Sequence, residues 1–318
     1  MNQLYQEALS MIQSYDTIIL HRHTLPDGDA VGSQVGLRNL IRENFPKKSC
    51  YLTGDSAARF AFIPDSAPQE LPDELFPRAL SIILDCGASS LISDERYRQA
   101  GATLRFDHHI FQEKVADVDI CDASFESASG LVADFAMEIG LEISPISALP
   151  LYMGIVTDSG RFRFDAVTPR TFRIAAELLS RGLDTNNLFS HLYSSSIGEI
   201  QRRAQFAMKI QYSPEGVAYL YNTREEIERL GMSTFEASRG MVNIMSDLEG
   251  VDIWANFTES PEGIIAELRS SIYTVQPIAV KYGGGGHARA CGATLSSRRE
   301  VKNMLNDLDE LLRSVRHA

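Results

Sequence analysis

Carboxylates and imidazoles sit just past the ends of several short apolar runs, and this pattern constrains the fold more than any other feature of the chain. His23, Asp27 and Asp29 follow the run DTIILH at 16–21. Asp85 ends SIIL at 81–84, and Asp107, His108 and His109 follow TLRF at 103–106. Asp158 closes an apolar helical segment at 146–157. Groups so far apart in sequence converge only if each lies at the same edge of one sheet. In open α/β sheets that edge, beyond the carboxyl ends of the strands, is where ligands bind.

The rest of the first half agrees with such a sheet. Residues 3–14 read as an amphipathic helix, and 29–43, 128–139, 146–157 and 169–181 as further helices. The runs at 49–53, 81–85 and 103–106 are short and apolar, which suits buried parallel strands. Alternating strands and helices predict an α/β fold with a doubly wound, mostly parallel sheet. A length of 318 residues favours two domains. Loop chemistry at 182–187 places the first domain at 1–182 and a linker region at 183–198. Residues 199–318 then alternate again, with a charged helix entering at 197–209. Further helices fit 223–230, 237–247, 274–281 and 298–315, and strands fit 217–221, 251–257 and 263–269. They predict a smaller α/β domain with a mixed sheet.

Charge and cysteine usage narrow the class. The chain has 30 basic against 42 acidic residues, a net charge of −12. That argues against a duplex-binding protein, whose footprint is basic. A short anionic substrate is still allowed, because bound cations cancel carboxylates locally. Cys50, Cys86, Cys121 and Cys291 form no CxxC pair, and reduced, mostly buried thiols of a cytoplasmic protein are expected. No signal-peptide pattern opens the chain and no apolar run is long enough to span a membrane.

The loop at 23–29 holds three potential ligands, with Pro26 restricting its backbone and Gly28 relaxing it. Asp27 or Asp29 also suits capping the helix that follows. A carboxylate after an apolar strand, as at Asp85, is costly unless paired or bound to metal. Asp158 lies in a Thr-Asp-Ser-Gly turn that either ends a helix or aims the carboxylate into a cleft. A convergent set of Asp and His suits divalent metal ions, with Mn²⁺ or Mg²⁺ favoured over thiolate-preferring metals. Arg161 and Arg163 alternate with Phe162 and Phe164. Such a run suits a nucleotide, phosphate on Arg and base on the ring, or an ordinary surface pair and core pair. Four glycines at 283–286 precede His287. They either stop a helix or aim backbone N–H groups at an anion.

HxxPDxD at 23–29, the strand-terminal Asp85, DHH at 107–109 and the turn around Asp158 resemble the four motifs of the DHH phosphoesterase family. GGGGHxxAxG at 283–292 resembles the family's associated C-terminal domain. The resemblance implies two divalent metal ions, usually Mn²⁺. It gives His23, Asp27 and Asp85 to one ion and Asp29, Asp85, His108 and Asp158 to the other, with Asp85 as the bridge. His109 would face the substrate phosphate, supported by Asp107. A metal pair of this kind clamps the attacking and leaving oxygens of an in-line displacement. Arg269, Gly284, Gly285, Gly286 and His287 would bind substrate, together with Arg161. Two positions depart from the family pattern: Ser159 stands where Thr is common, and Arg161 is larger than the usual residue. They bear on substrate preference and leave the ligand set intact.

Within the family, a compact two-domain chain without an added nucleic-acid-binding domain implies one branch. That branch degrades very short single-stranded RNA and removes the 3′-phosphate from adenosine 3′,5′-bisphosphate (pAp), with substrate held between the domains and a hinge near 183–198. A phosphodiesterase for cyclic di-AMP or linear dinucleotides is the alternative of the same class. A non-catalytic nucleotide-binding module is the alternative of another class, and the unbroken ligand set argues against it. No duplex or membrane partner is expected, and a homodimer is compatible with the family.

Overall fold

The computed structural model describes residues 2–316, and the chain divides into two compact units, Met1–Tyr193 and Ser194–Ala318. The first unit opens on α1 (Gln3–Ser14), whose Tyr5, Ala8 and Ile12 fall on one buried stripe. Its sheet contains β1 (Thr17–His21), β2 (Ser49–Leu52), β3 (Leu80–Leu84), β4 (Ala102–Asp107) and β5 (Val118–Cys121). The strand order is 2-1-3-4-5 and every neighbouring pair is parallel. The order reverses between β1 and β3. At such a switch point the loops leaving the two strands part and open a crevice.

Side chains alternate across this sheet, as a pleated strand requires. Ile18, Leu20, Leu80, Ile82 and Leu84 join the main core. That core is completed by α1, α2 (Gly28–Asn44), α3 (Ala128–Glu138), α4 (Pro145–Asp158) and α5 (Pro169–Leu179). Ile19 and Ile83 point the other way, toward small clusters around Phe76 and Tyr97. There the cover consists of 3₁₀ turns, not the α-helices of a fully doubly wound sheet. Pro64, Pro68, Pro72 and Pro77 crowd the connection from β2 to β3 and leave no room for a regular helix.

Helices α2 and α4 touch almost backbone to backbone. A Cβ added at Gly32 would lie 2.5 Å from the Pro150 carbonyl, and one at Gly36 would lie 2.5 Å from the Leu151 side chain. This contact sets the start of α2 beside the end of α4. Gln34 locks α2 to the sheet by donating to the carbonyls of Leu20 and Thr53, at 2.7 and 2.9 Å. Residues 183–198 hold α6 (Thr185–Tyr193), whose Leu188 and Leu192 bury in the first unit's core.

The second unit starts with α7 (Ile197–Ala207) and carries a six-stranded sheet. Its strands are β6 (Gln211–Tyr212), β7 (Ala218–Asn222), β8 (Ile253–Ser260), β9 (Gly263–Ser270), β10 (Gly285–Gly286) and β11 (Ala290–Leu295), in the order 10-11-9-8-7-6. The β7–β8 pair is parallel and the others are antiparallel, so the sheet is mixed. One face packs on α10 (Gln276–Lys281) and α11 (Arg298–Arg316), the other on α7, α8 (Arg224–Arg229) and α9 (Thr234–Val242). Helix α9 begins at Thr234, ahead of the expected 237, because Ser233 and Glu236 form a capping box. Cys50, Cys86 and Cys291 are buried, Cys121 is half-buried, and all four are free thiols. Among the described residues no helix is long and apolar enough to cross a membrane.

Candidate metal centre

The loops after β1, β3 and β4, the start of α2 and the end of α4 bring the expected Asp and His residues together. His23 Nε2 lies 3.5 Å from Asp85 Oδ2 and 3.8 Å from Asp27 Oδ1. His108 Nε2 lies 3.4 Å from Asp85 Oδ1, 3.3 Å from Asp158 Oδ2 and 4.0 Å from Asp29 Oδ2. His109 Nδ1 meets Asp107 Oδ1 at 2.8 Å and Asp85 Oδ1 at 3.7 Å. Three sets of ligand atoms lie within 4.8 Å of one another: His23–Asp27–Asp85, Asp29–His108–Asp158 and Asp85–His108–His109. Asp85 belongs to two of them and lies 3.4 Å from His108 of the third.

Each group is held by the local fold. Asp27 caps α2, its Oδ1 accepting from the N–H groups of Asp29 and Ala30 at 2.9 and 3.0 Å. Capping and convergence are therefore one arrangement. Asp29 lies in the first turn of α2, yet its carboxylate reaches α3. Its Oδ2 accepts from Ala128 N–H at 2.6 Å and its Oδ1 from Ser129 N–H at 2.9 Å. A helix N-terminus favours negative charge there. His23 Nδ1 lies 2.7 Å from the Thr24 carbonyl. A carbonyl only accepts, so Nδ1 donates and Nε2 is the nitrogen turned toward Asp85, where it carries a proton that a bound cation would replace. Asp85 itself adopts φ +57, a region costly for a residue with a Cβ. Behind His109, Asp107 lies 3.8 Å from the fully buried Arg105, which also pairs with Asp119 at 2.6 Å.

Two neighbours of the centre, Gly154 and Ser129, were not legible as site residues. A Cβ at Gly154 would fall 1.9 Å from Ser129 Oγ and 2.7 Å from Asp29 Oδ1. Only glycine lets α4 lie this close to Asp29 and its anchor on α3. The available signal was Gly28, Gly32 and Gly36, recurring at every fourth residue along α2 and so marking a close helix contact.

The electrostatics fit a cation. Burial alone would lower the proton affinity of His23 and His108. Contacts with Asp27 and Asp85 outweigh it for His23, raising its pKa to about 11. Asp85, Asp29 and Asp158 do the same for His108, raising it to about 10. Burial pushes Asp158 up to about 7, with Asp85 and Asp27 adding to it. Burial and the charges of Asp85 and Asp158 hold Asp29 well above the usual carboxylate range. These shifts share one origin, an excess of carboxylates in a poorly hydrated site. Asp85 is only 3% exposed, and its Oδ1 has no hydrogen-bond partner among the described residues. Crowded carboxylates, an orphaned oxygen and imidazole nitrogens aimed inward make a donor set that could hold a divalent metal once the imidazoles give up their protons.

The residues expected to bind substrate fare differently. Arg269 is half-buried near the end of β9, opposite Ala290 of β11. The glycine run is not an open nest. Gly283 and Gly284 N–H donate to the carbonyls of Val280 and Ala279, both at 2.9 Å, and close the end of α10. Gly285 and Gly286 form β10 against β11, and His287 N–H donates to the Ala290 carbonyl at 2.9 Å. Two of the glycine N–H groups expected to face an anion, those of Gly283 and Gly284, are thus engaged within the protein. The His287 side chain is on an exposed residue. In the first unit Arg161, at φ +62, lies over the Tyr193 ring at 4.9 Å. Phe162 stacks on Phe172 with ring centroids 5.4 Å apart, whereas Phe164 is exposed.

Residues 17–155 match the DHH family, N-terminal domain, and residues 230–314 match the DHHA1 domain. The chain is 32% identical over 308 residues to a Bacillus subtilis protein named bifunctional oligoribonuclease and PAP phosphatase NrnA, covering 96% of this chain and 97% of that protein. This chain belongs to the DHH family. A Streptococcus mutans relative, named probable bifunctional oligoribonuclease and PAP phosphatase NrnA, is 32% identical over 310 residues, 97% of this chain and 99% of that one. An exopolyphosphatase-related protein from Bacteroides fragilis superposes with a TM-score of 0.87 at 24% identity, covering 98% of this chain and 97% of that one. At that identity the likeness shows the shared fold. DHH phosphoesterases are metal-dependent, and in this DHH protein the groups around Asp85 are the ones that could bind metal.

Proposed function

We propose that this DHH protein is a divalent-metal-dependent phosphoesterase that hydrolyses short oligoribonucleotides to mononucleotides and dephosphorylates pAp. The observation that carries the reading is the convergence of separate ligand sets on Asp85. Relatives that match almost the whole chain carry that pair of activities in their names. On this reading His23, Asp27 and Asp85 would hold one ion, and Asp29, Asp85, His108 and Asp158 a second. The oxygen-rich, imidazole-containing set suits Mn²⁺. Such ions, when bound, supply Lewis acidity to the phosphoryl group and activate water for in-line attack.

The chain's own groups do the rest. Asp107 fixes the His109 ring through Nδ1 and raises its pKa, and in the imidazolium form this favours, Nε2–H donates to a phosphate oxygen. Arg105, itself held by Asp119, places its positive charge behind Asp107. Arg269 and His287 supply cationic and donor groups for a phosphate in the second unit, and Arg161 does so in the first. A grip on a terminal phosphate directs hydrolysis to chain ends. Four free thiols suit a reducing, cytoplasmic setting.

The test is a substrate panel with Mn²⁺ and with EDTA, resolving product lengths. Mn²⁺-stimulated turnover of pAp and of linear di- to pentaribonucleotides is expected. Exclusive turnover of cyclic di-AMP, or no turnover at all, would overturn the reading. Within the same assay, Asp107→Asn should lower kcat about 10–100-fold while leaving metal content at the wild-type level, because it loosens His109 without removing a ligand. A parallel loss of metal would place Asp107 among the ligands instead.

A further inference from the structure

Donor capacity separates two arginines of the second unit. A guanidinium offers five N–H donors. Arg269 engages three of them: Nη1 donates to the carbonyls of Leu268 and Cys291 at 2.8 and 3.4 Å, and Nη2 meets Glu267 Oε2 at 3.1 Å. Arg239 of α9 engages one, its Nε meeting Glu267 Oε1 at 3.2 Å. The two oxygens of one carboxylate thus hold both arginines side by side. Glu267 is only 7% exposed, whereas the Arg239 side chain is 61% exposed. Gly292 lies across from Glu267 in β11 and keeps the space beside its carboxylate clear. Arg239 is therefore anchored at one corner of its fork and presents the remaining donors to solvent. One turn earlier on α9, Phe235 is 63% exposed, and residues four apart are neighbours on a helix surface.

We propose that Arg239 and Phe235 form a nucleotide subsite beside Arg269. Arg239 takes oxygens of a phosphate and Phe235 stacks on a base. An aromatic face next to an arginine with free donors is how sequence-tolerant single-strand binding is built. The ligand is a nucleoside phosphate, either pAp or the end unit of a short single strand. The inference rests on the nucleotide-hydrolysing reading above and deepens it. It assigns substrate affinity to α9, which carries none of the recognised motifs.

The experiment uses the full-length protein and its Arg239→Ala, Arg239→Lys and Phe235→Ala variants. Binding of pAp in EDTA is measured by calorimetry, and turnover of pAp and bis-p-nitrophenyl phosphate is measured with Mn²⁺. Arg239→Ala is expected to weaken pAp binding about 10–100-fold and to raise KM for pAp in step, with kcat and the generic ester unaffected. Arg239→Lys should recover part of the loss, and Phe235→Ala should weaken pAp binding. Wild-type pAp affinity in Arg239→Ala would overturn the subsite, as would an equal loss on the generic ester. A protein that binds pAp but fails to hydrolyse it would sink the proposed function, while a binding loss in Arg239→Ala would still support the subsite.

Discussion

Asp85→Ala is expected to lower kcat by on the order of 10³-fold or more and to strip the protein of metal. One oxygen of Asp85 faces His23 and the other faces His108, so both proposed ion sites lose a ligand at once. No other carboxylate reaches both imidazoles at these distances among the described residues. The fold should survive the change. Asp85 adds charge repulsion to Asp29 and Asp158, and its Oδ1 has no hydrogen bond to lose. Kinetics, metal analysis and an unfolding curve on the same sample separate these effects. Near-normal turnover in Asp85→Ala would refute its shared role.

Gly154→Ala should destabilise the protein by about 1–3 kcal/mol and weaken metal binding as well. The sign is the informative part. In a helix interior, Gly→Ala ordinarily stabilises by roughly 1 kcal/mol. At Gly154 the new methyl would collide with Ser129 Oγ and crowd Asp29, so α4 has to retreat from α3. Asp29 is tied to the N–H groups of Ala128 and Ser129 and would move with α3. Gly240, in α9, serves as the control, because a methyl added there would meet nothing within 4 Å. Urea unfolding of both variants checks the claim. Equal stabilisation by the two substitutions would remove the packing argument.

The sheet edge that carries the candidate site was readable because polar residues after apolar strands break a simple pattern, and β1, β3 and β4 display it openly. Other elements hid for identifiable reasons. Strand β5 is a short edge strand, VDIC, flanked by aspartates that read as loop. Helix α6 begins Thr-Asn-Asn, which are turn formers, and forms because Leu188 and Leu192, one turn apart, find a place in the core. Strand β11 contains Gly292 and begins with alanine, a weak strand signal. It forms because β9 supplies a full ladder of partners from Ala290 to Leu295. The glycine run before His287 illustrates the limit at the site itself. Composition announces an unusual backbone, but only the fold reveals that its N–H groups close α10 and pair with β11.

Anomalous scattering from crystals grown with Mn²⁺ tests the central claim most directly. Two peaks about 3.5–4 Å apart are expected on either side of Asp85, one against His23 and Asp27 and the other against Asp29, His108 and Asp158. Manganese bound elsewhere, or no peak while those side chains turn away from one another, would contradict it.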